Sequence, residues 1–178
     1  MARLIHLNGP SRVGKSTLAH RYADNHPGTL CLDVDVLVGQ VDGWREDFSA
    51  AFRVARTRGL ALAKGHLRDG QDVVVPQLVT IFDQGNPFEA AAAEAGAGFV
   101  EVALLVDIDE HTRRLAEKEP ASDVEASVQS SLETSDLVDR IRGHLAEYLH
   151  GRPETIQLDT TGLTIDQTYA RLMNLLST

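Results

Sequence analysis

Hydrophobic residues along the chain follow two alternating patterns. Short continuous apolar runs are separated by longer stretches in which apolar residues recur every three or four positions. Such alternation is typical of parallel strands covered by helices on both faces. It predicts strands near residues 3–8, 29–35, 72–76, 100–107 and 155–158. It predicts helices near residues 15–25, 46–68, 87–95, 110–119 and 165–176, and a longer helix within 124–149. We therefore expect an α/β fold built on a five-stranded parallel sheet.

Residues at the ends of the predicted elements support this division. Gly70, Gly96 and Gly151 follow predicted helices, where a left-handed residue is expected, and Thr164 is placed to cap the last helix. The polar segment 117–125 lacks an apolar period. It predicts either a mobile lid over the site, at about 117–127, or an exposed loop.

Composition narrows the classes of function. The 178 residues suit a single domain over 1–178. The formal charge of −9 disfavours binding to nucleic acid or to an anionic membrane, because both need a basic surface.

The one cysteine, Cys31, excludes an internal disulfide and lies in an apolar run, so it is predicted to be a core residue. Residues 1–8 do not have the pattern of a signal peptide, and no apolar run approaches the roughly 20 residues of a membrane span. We expect a cytoplasmic protein, either monomeric or homodimeric, that binds neither nucleic acid nor a membrane.

The most specific motif follows the first predicted strand. Residues 9–17 read Gly-Pro-Ser-Arg-Val-Gly-Lys-Ser-Thr and match the phosphate-loop pattern G-x-x-x-x-G-K-[ST]. In such a loop backbone N–H groups surround a phosphate, and the next helix adds its positive end. Lys15 is expected to reach the terminal phosphates, Ser16 to bind magnesium, and Thr17 to lie near a phosphate oxygen. Arg12 is either an extra phosphate contact or a solvated side chain. The predicted nucleotide-binding residues of the loop are Gly9, Ser11, Arg12, Val13, Gly14, Lys15, Ser16 and Thr17.

Two aspartates end the second predicted strand. Ligands of an open parallel sheet lie beyond the carboxyl ends of its strands, and alternation along a strand would place Asp33 and Asp35 on one side. One carboxylate can hold magnesium while the other accepts the proton of a substrate hydroxyl. Asp35 is favoured as the base because it is nearer the strand end. The alternative is that these aspartates cap a helix or are solvated.

With this loop, Asp-Val-Asp at 33–35 and the five-strand pattern, the whole chain resembles small P-loop kinases of the shikimate, gluconate and nucleoside monophosphate type. Within that group it is similar to chloramphenicol phosphotransferase and zeta toxins. It also resembles tunicamycin-resistance ATP-binding proteins through Val-Val-Val-Pro-Gln-Leu-Val-Thr at 73–80. The resemblance implies a three-layer P-loop NTPase fold with strand order 2-3-1-4-5, ATP and Mg²⁺ as cofactors, and Asp35 in the position of the base.

The third predicted strand departs from the wider group. In many P-loop enzymes this strand ends in an acid that helps to hold magnesium, whereas here it ends in Pro76-Gln77. Asp33 then becomes the candidate carboxylate for the metal. Gln77 is either a substrate-reading amide or a structural residue at the strand end.

Basic residues beside the predicted lid are the candidates for contacting the transferring phosphate, because the lid itself contains no arginine. They are Arg113, Arg114 and Lys118, with Arg140 and Arg142 on the next helix as weaker candidates. We assign Arg114 to catalysis and Arg113 to nucleotide binding. The alternative for each is surface pairing with Glu110 and Glu117.

Two other positions are candidates for ligand contact. The segment Leu-Asp-Thr-Thr-Gly-Leu-Thr at 158–164 resembles the segment beside the adenine in related kinases, which places Thr160 near the nucleotide, although capping or turn formation is the alternative. Trp44 could stack on a substrate ring or serve as a partly buried anchor.

These features favour transfer of the γ-phosphate of ATP to a hydroxyl of a metabolite, nucleoside or antibiotic. The missing acid on the third strand and the lid without arginine leave one alternative, a nucleotide-dependent resistance protein that binds a ligand without phosphoryl transfer. The resemblance to zeta toxins leaves another, a toxin that phosphorylates a nucleotide sugar, although no residue singles it out.

Overall fold

The computed structural model describes residues 1–117, 119–120, 122–132 and 136–177. These residues form five strands: β1 (Arg3–Asn8), β2 (Leu30–Cys31), β3 (Val73–Pro76), β4 (Gly98–Leu105) and β5 (Ile156–Asp159). They form eight α-helices: α1 (Lys15–Asn25), α2 (Val34–Val38), α3 (Phe48–Arg68), α4 (Pro87–Ala95), α5 (Ile108–Glu117), α6 (Asp123–Leu132), α7 (Leu137–His150) and α8 (Ile165–Leu176). A short 3-10 turn covers Ile81–Asp83. Within the described ranges, no helix is both long enough and apolar enough to cross a membrane.

All five strands belong to one parallel sheet with the order β2-β3-β1-β4-β5. At its centre, His6 on β1 pairs in register with Val75 on β3 and with Glu101 on β4. This arrangement confirms the predicted α/β class, the P-loop NTPase fold and the strand order 2-3-1-4-5. Because the sheet is parallel, the carboxyl ends of β1, β3 and β4 lie at one edge, where the loops that follow them meet.

Apolar side chains cover both faces of the sheet, which makes three layers. On one face α3, α4 and α7 contribute core residues that include Ala55, Phe88 and Tyr148. On the other face α1 and α8 contribute Leu18 and Leu172 among others. Strands buried on both sides read as nearly continuous apolar runs, which is why their positions could be predicted from the sequence.

The second strand is shorter than predicted. The sequence predicted a strand over 29–35, but β2 ends at Cys31 and the helix α2 begins at Val34. Asp33 is the N-cap of that helix, because its side chain accepts a hydrogen bond from the Asp35 N–H at 3.0 Å. The two aspartates therefore lie at the start of a helix, and strand alternation does not govern their directions.

The long helix predicted within 124–149 is divided into α6 and α7. The predicted lid at about 117–127 is partly helical, since α6 begins at Asp123, while Lys118 and Ala121 lie outside the described residues. Val124 is buried in the same core as Val34 and Val38 of α2. The interpretation of this part of the segment as a loop is therefore wrong.

Glycines after the helices agree with prediction in two of three cases. Gly70 and Gly96 have φ of +82° and +68°, in the left-handed region. Gly151 has φ −81°, so the prediction of a left-handed residue there is wrong. Thr164 caps α8 as predicted: its side chain accepts from the Gln167 N–H, and the Gln167 side chain accepts from the Thr164 N–H.

Candidate nucleotide and acceptor site

The phosphate loop joins β1 to α1 and is shaped by two glycines. Gly9 has φ +140°, and a Cβ atom there would lie 2.6 Å from the Leu104 carbonyl oxygen on β4. Gly14 has φ +98° and is the N-cap of α1. Val13 is buried in the core, which anchors the middle of the loop. The backbone of residues 9–14 thus curves at the amino end of α1, where N–H groups and the helix dipole favour an anion.

Lys15 and Ser16 begin α1 on the open side of the loop. The Lys15 Nζ donates hydrogen bonds to the carbonyl oxygens of Gly9 at 2.9 Å and Pro10 at 2.7 Å, so its ammonium lies over the loop. The Ser16 hydroxyl donates to Asp33 Oδ2 at 2.9 Å. The loop and the start of α2 are therefore adjacent, although Ser16 and Asp33 are far apart in sequence.

The pair Ser16 and Asp33 suits Mg²⁺. Magnesium takes oxygen ligands at about 2.0–2.1 Å in an octahedron, in which neighbouring ligands lie about 2.9 Å apart. The Ser16 and Asp33 oxygens have that spacing. No cluster of three or more His, Cys, Asp or Glu side chains suited to a metal occurs among the described residues. The residues present thus fit an ion bound by one or two side chains, phosphates and water.

Asp35 lies in the first turn of α2 and faces the same cleft as the phosphate loop. Burial raises the pKa of its carboxyl to about 6; the neighbouring charges of Asp33 and Glu125 act in the same direction, and Lys15 opposes them. A carboxylate with a pKa near neutrality accepts a proton more readily than an ordinary aspartate.

Arg12 lines the cleft beside Lys15, and its contact with phosphate stays a prediction. Its side chain is only 2% exposed, which excludes the alternative of a solvated side chain. It donates to Glu125 Oε1 at 3.0 Å and to Gln129 Oε1 at 2.6 Å, both on α6. The arginine of the phosphate loop therefore holds α6 against the loop. It does so with a left-handed backbone, φ +65°, which is unusual for a residue with a side chain.

A cleft of about 250 Å³ runs between the phosphate loop and the segment that follows β3. The polar residues that line it include Lys15, Ser16, Asp35 and Gln77. Thr17 also lines the cleft, and its contact with a phosphate oxygen stays a prediction. Three parts of the predicted site are therefore adjacent: the phosphate loop, the candidate base, and the Gln77 position after the third strand.

His111 supports the phosphate loop by contacting its backbone at Ser11, and the sequence did not predict this role. This residue of α5 is 2% exposed, and its Nε2 lies 2.8 Å from the Ser11 carbonyl oxygen. Arg142 of α7 contacts its Nδ1 at 3.2 Å. Because arginine only donates, Nδ1 accepts and Nε2 donates to Ser11, which defines a neutral ring. Burial lowers the pKa of His111, with Arg142, Lys15 and Arg114 acting in the same direction against the Ser11 contact. Arg142 is thus a partner of His111 and of the Val106 carbonyl oxygen.

A buried polar network lies beneath the loop and was also missed. Asn8 accepts hydrogen bonds from the N–H groups of Gly9 at 2.8 Å and Val79 at 3.0 Å. It donates to Glu101 at 2.9 Å, and His6 Nε2 lies 2.8 Å from the Gln77 carbonyl oxygen. The phosphate loop and the segment after β3 are therefore held by the same group of side chains. The spacing of polar residues within β1, His6 and Asn8, was the available sequence signal.

Two predicted nucleotide contacts have other partners. Arg113 is paired on the surface of α5 with Glu110 and Glu117, which is the alternative that the sequence left open. Thr160 is 1% exposed, and its hydroxyl donates to the Leu105 carbonyl oxygen at 2.9 Å. Its side chain therefore has the structural role that was the alternative, tying the end of β5 to β4, and a contact of the Thr160 backbone with the nucleotide stays a prediction.

Arg114 joins the same end of the sheet. Its guanidinium donates to the Thr160 hydroxyl at 3.0 Å and to the Thr160 carbonyl oxygen at 2.8 Å, and it pairs with Glu110 at 2.9 Å. These contacts fix the segment after β5 to α5. They do not bring Arg114 to the lining of the cleft between the phosphate loop and Asp35. Lys118 lies outside the described residues.

Trp44 does not line the cleft. It is 8% exposed and belongs to the core that also contains Val38 and Val124, with the Arg45 guanidinium 4.4 Å from its ring centroid. The substrate-stacking prediction is therefore wrong, and the anchor alternative describes its position. Cys31 on β2 packs against the core, and burial, with Asp33 and Asp24, raises the pKa of its thiol to about 12.

The fold and the motif together define a P-loop nucleotide-binding protein. The chain belongs to the AAA domain family, whose sequence model matches residues 4–135. No curated protein sequence matches the chain significantly.

Solved structures of P-loop kinases share its fold. The tunicamycin resistance protein of Deinococcus radiodurans superposes with a TM-score of 0.66 at 18% identity, covering 99% of this chain and 96% of that one. The APS kinase CysC of Mycobacterium tuberculosis, solved with AMPPNP and APS, gives 0.64 at 22% identity over 99% and 98% of the two chains. The shikimate kinase of Bacteroides thetaiotaomicron gives 0.59 at 17% identity over 99% of each. The predicted kinase-type fold is confirmed.

Proposed function

We propose that this protein is a phosphotransferase that moves the γ-phosphate of ATP to a hydroxyl group of a small molecule. The observation that carries the proposal is that one cleft contains both a phosphate loop with Lys15 and a carboxylate of raised pKa, Asp35. The kinase folds of its structural neighbours support the same reaction class.

The proposed reaction is a single displacement at phosphorus. The acceptor oxygen forms a bond to the γ-phosphorus, and the bond between that phosphorus and the β–γ bridging oxygen breaks, so that ADP leaves with the electron pair. The hydroxyl proton passes to the Asp35 carboxylate. Lys15 and the amides of the phosphate loop stabilise the phosphate charge.

Magnesium would be held by Ser16 and, directly or through water, by Asp33. When bound, it neutralises charge on the β- and γ-phosphate oxygens. In this arrangement Asp33 takes the place of the acid that the third strand lacks, and Asp35 is left for the acceptor.

A second candidate function is binding of ATP and a ligand without transfer. It is favoured by one observation: apart from Arg12, no arginine lines the cleft among the described residues. Lid arginines commonly neutralise the transferring phosphate in related kinases. The two candidates differ in whether ADP appears together with a phosphorylated acceptor.

The test is a screen of small hydroxyl compounds and antibiotics for ADP release, with the product identified by mass spectrometry. Asp35→Asn is expected to lower turnover by about 10²-fold or more while ATP still binds, since general base catalysis contributes about that much. Lys15→Ala is expected to weaken both ATP binding and turnover.

Asp69→Asn is the matched control. It makes the same carboxylate-to-amide change at an exposed position after α3, in the connection that enters β3 at the opposite edge of the sheet. It should behave as the parent. If the parent binds ATP yet phosphorylates no acceptor, the transfer proposal fails and the binding function replaces it. Full turnover by Asp35→Asn would remove Asp35 from the proposed reaction.

A further inference from the structure

The acceptor side of the cleft has an apolar wall, and the inference drawn from it rests on the proposed phosphotransferase function. Side chains from five parts of the chain form this wall: α3, the end of β3, the segment after it, α6 and α7. They are Phe48, Phe52, Pro76, Leu78, Val128 and Ile141. Two of the six are aromatic rings on successive turns of α3, 6.3 Å apart between centroids. Such a wall gains free energy by covering apolar carbon of a ligand.

The charges that line the same cleft are arranged against an anionic acceptor. Among the described lining residues, the two cations, Arg12 and Lys15, both belong to the phosphate loop, and the Arg12 guanidinium is already bound to Glu125. Asp35 and Glu125 are the carboxylates. Arg12 and Glu125 neutralise each other, and Lys15 lies over the phosphate loop. A carboxylate or phosphate group on the acceptor would therefore face Asp35 without a cation of its own, and burying an unpaired charge is costly.

Arg56 on α3 is the basic residue behind this wall. Its guanidinium pairs with Asp83 at 2.6 Å and lies 5.6 Å from the Phe52 ring centroid and 5.9 Å from that of Phe88. Arg56 does not line the cleft. Phe52 lines the cleft, and the Arg56 guanidinium packs near the Phe52 ring without reaching the cleft.

Gln77 lines the cleft, and its side-chain amide oxygen is shielded beside it without a described partner. The residue is 8% exposed, and its Oε1 is buried without a hydrogen-bond partner among the described residues. Its backbone is fixed, because the Gln77 carbonyl oxygen lies 2.8 Å from His6 Nε2 in the core. A buried amide oxygen without a partner has lost its hydrogen bonds to water and gained none in return. A ligand N–H or O–H group would supply that bond once the Gln77 amide turns its oxygen toward the cleft.

We infer that the acceptor is an uncharged, largely apolar alcohol that carries a hydrogen-bond donor for the Gln77 side chain. Its apolar part lies against Phe48, Phe52 and Leu78, its donor reaches Gln77 Oε1, and its hydroxyl lies at Asp35. The apolar wall and the acidic side of the cleft exclude alcohols that also carry a phosphate or a carboxylate group.

The test is a library of primary alcohols on aromatic and alicyclic rings. Each skeleton is present as a carboxamide, an N,N-dimethylcarboxamide and a carboxylate, and kcat/KM is measured by ADP release. The carboxamides should be used best. The dimethylcarboxamides lack the N–H donor and should be about tenfold poorer, the effect of one hydrogen bond. The carboxylates should not be used.

Variants assign this difference to Gln77. Gln77→Leu should reduce kcat/KM for a carboxamide to the level of its dimethylcarboxamide, with the dissociation constant for ATP unchanged. Gln157→Leu makes the same change on β5, at an exposed position outside the cleft, and should keep the tenfold preference.

Different results would overturn the proposed acceptor chemistry and the proposed phosphotransferase function. If carboxylates are used as well as or better than carboxamides, the inference is overturned while phosphoryl transfer stands. That result would indicate that an anion reaches Arg56, whose Nε and Nη2 are buried without described partners. An equal tenfold preference in Gln77→Leu would also overturn it. If no member of any series is phosphorylated although ATP binds, the phosphotransferase function itself fails.

Discussion

Asp35 shows how the environment of one residue changes its chemistry. An exposed aspartate is fully ionised at neutral pH and is a weak base, whereas burial beside Asp33 and Glu125 raises the pKa of Asp35 to about 6. The same three acids surround the site where phosphate charge would concentrate. Lys15 limits the shift by its opposite charge.

The pH dependence of transfer follows from this shift. Asp35 accepts a proton only when it is ionised, so kcat/KM for the acceptor should fall about tenfold per pH unit below about pH 6. Glu125→Gln removes one of the charges that raise this pKa and should move the acid limb to lower pH. The measurement is kcat/KM from pH 4.5 to 8 with saturating ATP. An acid limb near pH 4 in the parent would show that the pKa of Asp35 is not raised in the working enzyme.

At the scale of the elements, α6 is held to the phosphate loop by buried charge. The Arg12 guanidinium is 2% exposed and has both Glu125 and Gln129 as partners. A buried cation that loses a partner keeps its desolvation cost, so removing one partner is costly. By contrast, Asp123 of the same helix pairs with Arg45 where both side chains are 62–75% exposed. Such surface pairs contribute little.

Hydrogen exchange can test this difference. Gln129→Ala should raise the exchange rates of the α6 amides by about 10- to 100-fold, because the lost hydrogen bond to a charged group is worth about 1.5–3 kcal/mol. Amides of α8, on the opposite face of the sheet, should be unaffected. Asp123→Asn is the matched control and should leave α6 protection within error. Equal protection in all three proteins would show that Arg12 does not hold α6.

Element prediction succeeded where the signals were local. The bounds of α4 followed from Pro87 at its start and Gly96 after its end, and those of α8 from the cap at Thr164. The start of α2 was misread because a helix of five residues adds too little apolar period to distinguish it from a strand end. The helix α6 was missed because its stabilising partners, α2 and Arg12, are distant in sequence.

The same distinction applies to the candidate site. The motif over residues 9–17 predicted the phosphate loop, since its glycines and lysine are adjacent in the chain. The partners of the Arg12 and Thr160 side chains, Glu125 and Leu105, are 113 and 55 positions away, so no local pattern predicted them. Trp44 depended in the same way on packing that no local pattern encodes. The role of a residue could be predicted where the residues that act together are adjacent in the sequence. It could not be predicted where the role depends on partners that only the fold brings together.

At the scale of the whole molecule, Glu101 connects the two halves of the cleft. Its carboxylate is buried in the middle of β4 and accepts hydrogen bonds from Asn8, Tyr148 and Thr155. Arg152 pairs with it at 3.0 Å, and His6 Nδ1 lies 3.2 Å away. Through Asn8 and His6 this carboxylate supports both the phosphate loop and the Gln77 segment. Loss of the network should therefore affect stability and the alignment of the site together.

The pH dependence of stability tests that role. Burial alone would raise the pKa of Glu101, but the hydrogen bond and charge of His6, with Asn8 and Thr155, lower it from 4.5 to about 2. Because this pKa is lower in the folded protein, ionised Glu101 stabilises the fold at every pH above its unfolded pKa of about 4.5. That stabilisation is lost as the pH falls from about 4.5 to about 2. Two to three pKa units correspond to about 3 kcal/mol.

Urea unfolding should show Glu101→Gln less stable than the parent by about that amount at pH 7, with the difference shrinking between pH 4.5 and pH 2. Because other carboxylates titrate equally in both proteins, their effect cancels in the difference. A gap that stays constant across this range would assign the stabilisation to packing and not to the charge of Glu101.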